Sequence, residues 1–163
     1  MIKILFVCLG NICRSPMAEF VMKDIVAQNN RADEFFIASA ATSTEEIGNP
    51  VHYGTRRKLA EHGISTEGKY AIQLAKSDYN KYDYIVGMDG NNISNICRML
   101  GKSKGDAKIK KLLDFTDRPG DIADPWYTGN FDDTYDDVLR GCKALYMYIT
   151  GEQAYYLPAK ENP

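Results

Sequence analysis

Residues 2–7, Ile-Lys-Ile-Leu-Phe-Val, are an apolar run broken only by Lys3. A run this short and this apolar reads as a β-strand covered on both faces, the pattern of a parallel sheet. It passes directly into Cys8-Leu9-Gly10-Asn11-Ile12-Cys13-Arg14-Ser15 and then Pro16-Met17-Ala18-Glu19-Phe20. The last stretch opens a helix: Ser15 suits an N-cap, Pro16 the first helical position, and Met17, Val21 and Ile25 share one face. Strand, tight loop and helix in immediate succession constrain the fold to βα units. They also place the loop at the carboxyl end of a strand, where parallel sheets bind ligands. Gly10 and Asn11 tolerate the unusual backbone angles of such a loop. Successive loop amides can converge as an anion-binding nest, and the helix N-terminus adds donors and positive potential. Arg14 can grip two oxygens of a dianion with its planar fork. Cys8 then lies beneath the phosphorus, where the helix end and the guanidinium favour its thiolate. Leu9, Gly10, Asn11, Ile12, Cys13 and Ser15 would line the substrate. Cys-x5-Arg alone arises by chance, and its bland reading is a packing cysteine beside an ordinary ion pair. The strand before it and the helix after it make the pattern specific.

The rest of the chain alternates strands and helices. Strands are expected at residues 35–40, 82–88 and 109–113, with a short extended piece at 70–74. Asn29-Asn30-Arg31 ends the first helix at about Gln28. Pro50 should open a helix reaching about His62, with Gly63 as its left-handed C-terminal residue. Further helices are expected at residues 89–100 and 131–149, the latter burying Val138, Leu139, Cys142, Leu145, Tyr146 and Ile149. Residues 114–130 read as a long loop with Pro119, Gly120, Pro125 and Gly129, and loops of that length are usually functional. Strands alternating with helices give right-handed βαβ units and a parallel sheet.

Val7 to Pro16, VCLGNICRSP, closely resembles the phosphate loop of the low-molecular-weight protein tyrosine phosphatases. Ser39-Ala40-Ala41-Thr42-Ser43-Thr44 and Ile47-Gly48-Asn49-Pro50 resemble that family's next segment, and Asp124-Pro125-Trp126-Tyr127 its acid loop. The likeness runs nearly the whole chain in family order. It implies a single three-layer α/β domain over residues 1–163, with a four-stranded parallel sheet in order 2-1-3-4 and helices on both faces. It implies metal-independent, cofactor-free hydrolysis of protein phosphotyrosine and aryl phosphates through a phosphocysteine. Cys8 would be the nucleophile, Arg14 the clamp and Asp124 the general acid, with Asp121 the alternative acid. Ser15 would donate its hydroxyl to Cys8. Asn11 and Ser39 would brace the loop. Trp126 and Tyr127 would wall a slot for a phenyl ring, completed by Leu9 and Ile12. Cys13 would capture oxidised Cys8 as a disulfide. Two departures stand out: the family often has a second histidine near Lys69 and an aromatic residue near Glu45. His62 reads as structural.

Composition narrows the partners. With 163 residues, a net charge of −2 and a pI near 5.7, the chain has no electrostatic footprint for nucleic acid. The lysines between 102 and 111 read as a solvated face. No run reaches transmembrane length, and the N-terminus lacks a signal-peptide pattern, so no membrane partner is expected. Cys8, Cys13, Cys97 and Cys142 lack metal-finger spacing, and a reactive thiol suits a reducing cytoplasm. A monomer acting on tyrosine-phosphorylated proteins is expected. Three rivals remain: a thiol-dependent arsenate reductase on the same fold, a non-catalytic phosphopeptide-binding module, and the related protein-arginine phosphatases. The last carry Thr at the position of Ile12, so Ile12 argues for phosphotyrosine.

Overall fold

Strand β1 (Ile2–Cys8) is the hub of the molecule in a computed structural model that describes residues 1–157. It pairs in parallel with β2 (Phe35–Ala41) on one side and β3 (Tyr84–Gly87) on the other, and β3 pairs with β4 (Ile109–Lys111). The sheet order is 2-1-3-4, as expected. The pleat sends alternate β1 side chains to opposite faces. Ile4, Phe6 and Cys8 join one core with helix α1 (Arg14–Gln28) and the last helix, Phe131–Thr150. Leu5 and Val7 join a second core with Ile96, Cys97 and Leu100 of the helix Gly90–Leu100. Burial on both faces is why the run is apolar throughout; each such side chain contributes roughly 1.5–3 kcal/mol. The result is three layers.

The remaining helices are α2 (Tyr53–Ala60), α3 (Asp78–Lys81), α4 (Gly90–Leu100), α5 (Pro125–Thr128) and α6 (Phe131–Thr150). Several expected boundaries shift, each for a local reason. Helix α1 begins at Arg14, capped by Cys13 rather than Ser15, and Cys13 makes no side-chain cap bond. The Ser15 hydroxyl is engaged instead by Cys8 and Asn11. Helix α2 is shorter than the expected 50–62. Pro50 forms an antiparallel bridge with Tyr70, and His52 becomes the cap, its Nδ1 accepting from Gly54 N at 3.0 Å. Gly63 does take the left-handed region, with φ 72°. Strand β3 begins at Tyr84, two residues later than expected, because Tyr82 serves as the C-cap of α3, its N–H donating to Asp78 O. Strand β4 stops at Lys111, where residues 112–115 turn into a 3-10 segment. That turn pushes Leu112 against Gly141 of α6, where a Cβ would meet Leu112 Cγ at 2.5 Å. The expected long loop holds α5. A 3-10 turn at Ala32–Glu34 was not expected. The expected domain includes residues 158–163, which lie outside the described residues. We infer one domain over residues 1–157, because β1 feeds both cores. Among the described residues, no helix is long and apolar enough to cross a membrane.

Candidate active site

The loop between β1 and α1 is shaped from outside. Its carbonyls are claimed by neighbouring segments: Cys8 O accepts from Thr42 N at 3.0 Å, Leu9 O from Ser43 N at 2.9 Å and Ile12 O from His52 N at 2.8 Å. Cys13 O accepts from Thr55 Oγ1 at 3.2 Å. With these four carbonyls engaged by neighbouring segments, the loop amides are available to converge as an anion-binding nest. Asn11 supplies the left-handed turn, at φ 58°. Gly10 serves by lacking a Cβ, which would sit 3.3 Å from Glu46 Cγ.

Cys8 sits at the bottom, 3 % exposed. Its Sγ lies 3.0 Å from Ser15 Oγ and accepts from Ser15 N at 3.4 Å. Behind Ser15 runs a buried chain. Asn11 Nδ2 donates to Ser15 Oγ at 2.7 Å and to Ser39 Oγ at 2.9 Å, and Ser39 Oγ donates to Glu19 Oε1 at 2.6 Å. Asn11 Oδ1 accepts from Ile72 N at 3.2 Å, which fixes the amide's orientation. Lys69 Nζ donates to Ser39 O at 2.8 Å, which ties this lysine to the same chain.

Arg14 is buried at the start of α1. One nitrogen, Nη1, is tied to Asp89 Oδ2 at 2.6 Å and to Ile122 O at 2.9 Å. The other, Nη2, reaches Asp124 Oδ2 at 3.3 Å. Burial works to lower the Arg14 pKa, but Cys8, Asp89 and Asp124 outweigh it and the net shift is upward. The guanidinium is thus a permanent cation, anchored through Nη1 and held through Nη2 against Asp124 at the cleft. Asp124 caps α5, its Oδ1 accepting from Trp126 N at 3.1 Å, and its carboxylate overhangs the loop. Cys13 is buried too. Its thiol is pushed up to about 12, first by burial and then by Cys8 and Asp124, so it is protonated at neutral pH.

Cys8, Leu9, Gly10, Ile12, Cys13, Ser43, Glu45, Glu46, Asp124, Trp126 and Tyr127 line one cleft of about 100 Å³. Trp126 and Tyr127 are 55 % and 76 % exposed, so they are walls rather than core. Asn11, Ser15 and Ser39 lie behind the cleft. Asp121 is not among the lining residues; it accepts from Gly90 N and Lys111 Nζ, both at 3.1 Å. His62 is buried and stacks on Tyr135 at 4.3 Å, a structural place. Asp89, Glu19, Lys69 and Thr55 were missed by sequence reasoning. Asp89 had a signal, because it follows β3 at the same carboxyl edge as Cys8. The other three had none.

A family model described as low molecular weight phosphotyrosine protein phosphatase matches residues 3–154. The chain is 41% identical over 155 residues to "Low molecular weight protein-tyrosine-phosphatase YfkJ" of Bacillus subtilis, covering 94% of this chain and 99% of that one. It is 40% identical over 150 residues to the Staphylococcus aureus protein-tyrosine-phosphatase PtpA, covering 91% and 94%. The crystal structure of the B. subtilis protein superposes with a TM-score of 0.88 at 42% identity, over 93% and 96% of the two chains. A Drosophila arginine phosphatase superposes at 0.84 with 28% identity, over 91% and 98%.

Proposed function

The chain belongs to the low molecular weight phosphotyrosine protein phosphatase family, and on that premise we propose that Cys8, Arg14 and Asp124 carry its chemistry. The enzyme is a cysteine-based protein tyrosine phosphatase that acts through a phosphocysteine. Cys8 Sγ attacks the phosphorus in line, and the bond from phosphorus to the phenolic oxygen breaks. Charge spreads over the three equatorial oxygens, where the loop amides and the Nη2 side of Arg14, which contacts Asp124 in the unliganded site, stabilise it. Asp124 gives its proton to the leaving phenolate, then takes one from the water that attacks phosphocysteine. The P–S bond breaks, and Ser15 donates to the departing thiolate.

The observation that carries this reading is the setting of Cys8. The N–H of Ser15 donates to the Cys8 sulfur and the Ser15 hydroxyl lies 3.0 Å from it, beside a guanidinium tied to Asp89. A phosphopeptide-binding module has no use for such a sulfur. The arsenate reductase reading needs a relay through further cysteines, yet Cys97 and Cys142 are buried, and burial raises the pKa of both thiols. Ile12, at 8 % exposure, puts an apolar side chain in the cleft where the arginine phosphatases carry Thr. We place the protein in the reducing cytoplasm as a monomer without metal, cofactor, membrane or nucleic-acid partner, acting on tyrosine-phosphorylated proteins. The unpaired state of the four cysteines supports the reducing compartment, and the acidic balance of the chain speaks against a nucleic-acid partner. The test is hydrolysis of p-nitrophenyl phosphate and of phosphotyrosine peptides in EDTA, beside phosphoarginine peptides and thioredoxin-coupled arsenate. Phosphotyrosine turnover well above the other two is expected. Comparable phosphoarginine turnover, or none on any aryl phosphate, would overturn the assignment.

We also propose that Cys13 protects the nucleophile. A thiolate at Cys8 is the group peroxide attacks, giving a sulfenic acid. Cys13, held protonated at rest, is spared, and its sulfur then condenses with the sulfenic acid to a disulfide with loss of water. Peroxide inactivation of the wild type should be reversed by dithiothreitol. Cys13→Ser should keep basal turnover but lose most of that recovery, and peptide mapping should join Cys8 to Cys13 rather than to Cys97 or Cys142. Full thiol rescue of oxidised Cys13→Ser protein would remove this role.

A further inference from the structure

Lys69 is a lysine with only 11% of its side chain exposed, and the chemistry above does not use it. Its ammonium lies 3.7 Å from Glu19 Oε1, whose side chain is 6% exposed. Burial pulls the Lys69 ammonium below the usual lysine range, with Glu19 opposing. Buried ionisable pairs are costly, and removing one member strands the other. Such a pair behind a nucleophile calls for a reason.

The hydrogen-bond chain supplies one. A carboxylate is an acceptor only. Ser39 must therefore spend its proton on Glu19, and its lone pair faces Asn11. Asn11 turns both amide hydrogens to Ser39 and Ser15, so Ser15 keeps its own proton for Cys8. This polarity favours thiolate, because a protonated Cys8 would meet a donor. Yet the same chain ends on a negative charge, and a bare carboxylate there would oppose a second negative charge on sulfur. Two cations answer it. Lys23 Nζ reaches Glu19 Oε2 at 2.6 Å but is 45% exposed, so solvent screens it. Lys69 is the buried one.

We propose that Lys69 is a positioning and charge-balancing residue for the nucleophile: it neutralises Glu19, so that the chain through Ser39, Asn11 and Ser15 orients protons toward Cys8 without opposing its ionisation. The inference rests on the phosphatase reading only in taking Cys8 as the nucleophile. Charged and titratable groups on the cleft side of Cys8 are Cys13, Arg14 and Asp124, with Asp89 acting through Arg14, and Glu45 and Glu46 from the segment after β2. Those behind it are Glu19, Lys69 and Lys23, and Tyr82 senses Glu19 from beyond. All but the two residues of the pair stay constant in the test.

The experiment is the rate of Cys8 alkylation by iodoacetamide across pH, located by peptide mapping. It reads the thiolate without any substrate. Lys69→Gln should slow alkylation on the acid side of the profile by roughly threefold to tenfold, the effect of losing one partly buried unit charge. Lys69→Arg should stay near wild type. Glu19→Gln, whose amide oxygen still accepts from Ser39, should shift the profile the other way and speed alkylation. The double variant should return toward wild type. Opposite signs and mutual rescue are signatures that loss of packing cannot produce. An unchanged profile in Lys69→Gln, or slowing in both single variants, would overturn the proposal. If Lys69→Gln fails to fold, the sign of Glu19→Gln alone decides. Hydrolysis of p-nitrophenyl phosphate by the wild type is read separately, so a failed phosphatase assignment and a failed role for Lys69 are distinct results.

Discussion

Cys8→Ser abolishes steady-state hydrolysis and leaves the fold and anion binding in place; that is the largest effect expected of any single change. The loss should be on the order of 10⁶-fold in kcat, as for another covalent nucleophile removed from a preorganised site. The physical ground is that Ser15 and Arg14 favour a thiolate, whereas a serine hydroxyl stays protonated in the same place. The fold should survive because the loop is held through main-chain carbonyls by Thr42, Ser43, His52 and Thr55, none of which touches the sulfur. A smaller hydroxyl at a buried position costs little packing, and Ser15 can still donate to it. Phosphate or vanadate should therefore still bind, with the response of the sole tryptophan, Trp126, at the cleft wall as the readout. The measurement is a burst-free initial-rate assay on purified variant, with anion titration in parallel. Residual turnover above about a thousandth of wild type, free of contaminating phosphatase, would contradict a thiolate mechanism.

What the sequence made legible follows the range of the forces involved. The β1–loop–α1 unit was readable because every signal is local: an apolar run, Gly10 and Asn11, then Pro16. Boundaries went astray where a tertiary contact overrode a local preference. Pro50 looks like a helix start, yet pairing with Tyr70 keeps it extended, and His52 takes the cap. Leu112 and Leu113 extend the apolar run of β4, yet the chain turns there to seat Leu112 against Gly141. Ser15 has the chemistry of an N-cap, and its hydroxyl is spent on Cys8 instead. The site divides in the same way. Cys8 and Arg14 stood out because they share one short motif, whereas Asp124 stood out only through the family resemblance, since Asp-Pro by itself reads as a turn. Asp89 and the Ile122 carbonyl, which aim Arg14, come from 75 and 108 residues away and carry no signature of their own. Glu19 lies in the right helix but had no sequence signal, since glutamate is almost never buried without a partner, and two of its partners, Ser39 and Lys69, come from outside that helix.

The second large effect is expected at Asp124, and its signature is a dependence on the leaving group. A general acid is worth roughly 10²–10⁴ in rate when the departing oxygen needs a proton. Phenolate needs it; p-nitrophenolate leaves nearly unaided. Asp124→Ala should therefore slow phenyl phosphate far more than p-nitrophenyl phosphate. Alanine also removes two other contacts, the cap on Trp126 N and the 3.3 Å link to Arg14 Nη2. Loss of such a cap costs about 1 kcal/mol, and a loosened Arg14 would weaken both substrates alike. Asp124→Asn separates these effects, because its amide oxygen still caps α5 while it has no proton to give at a carboxylic acid's strength. The asparagine variant should retain anion binding close to wild type and still lose on the order of 10²-fold or more on phenyl phosphate. Breakdown of phosphocysteine should slow as well, since no base remains to take the proton of the attacking water; a pre-steady-state burst of p-nitrophenolate would report it. Asp121, tied to Gly90 N and Lys111, should show none of this when changed to asparagine. Equal losses in kcat/KM on the two substrates in Asp124→Asn, or a larger loss in Asp121→Asn, would take the acid's role away from Asp124.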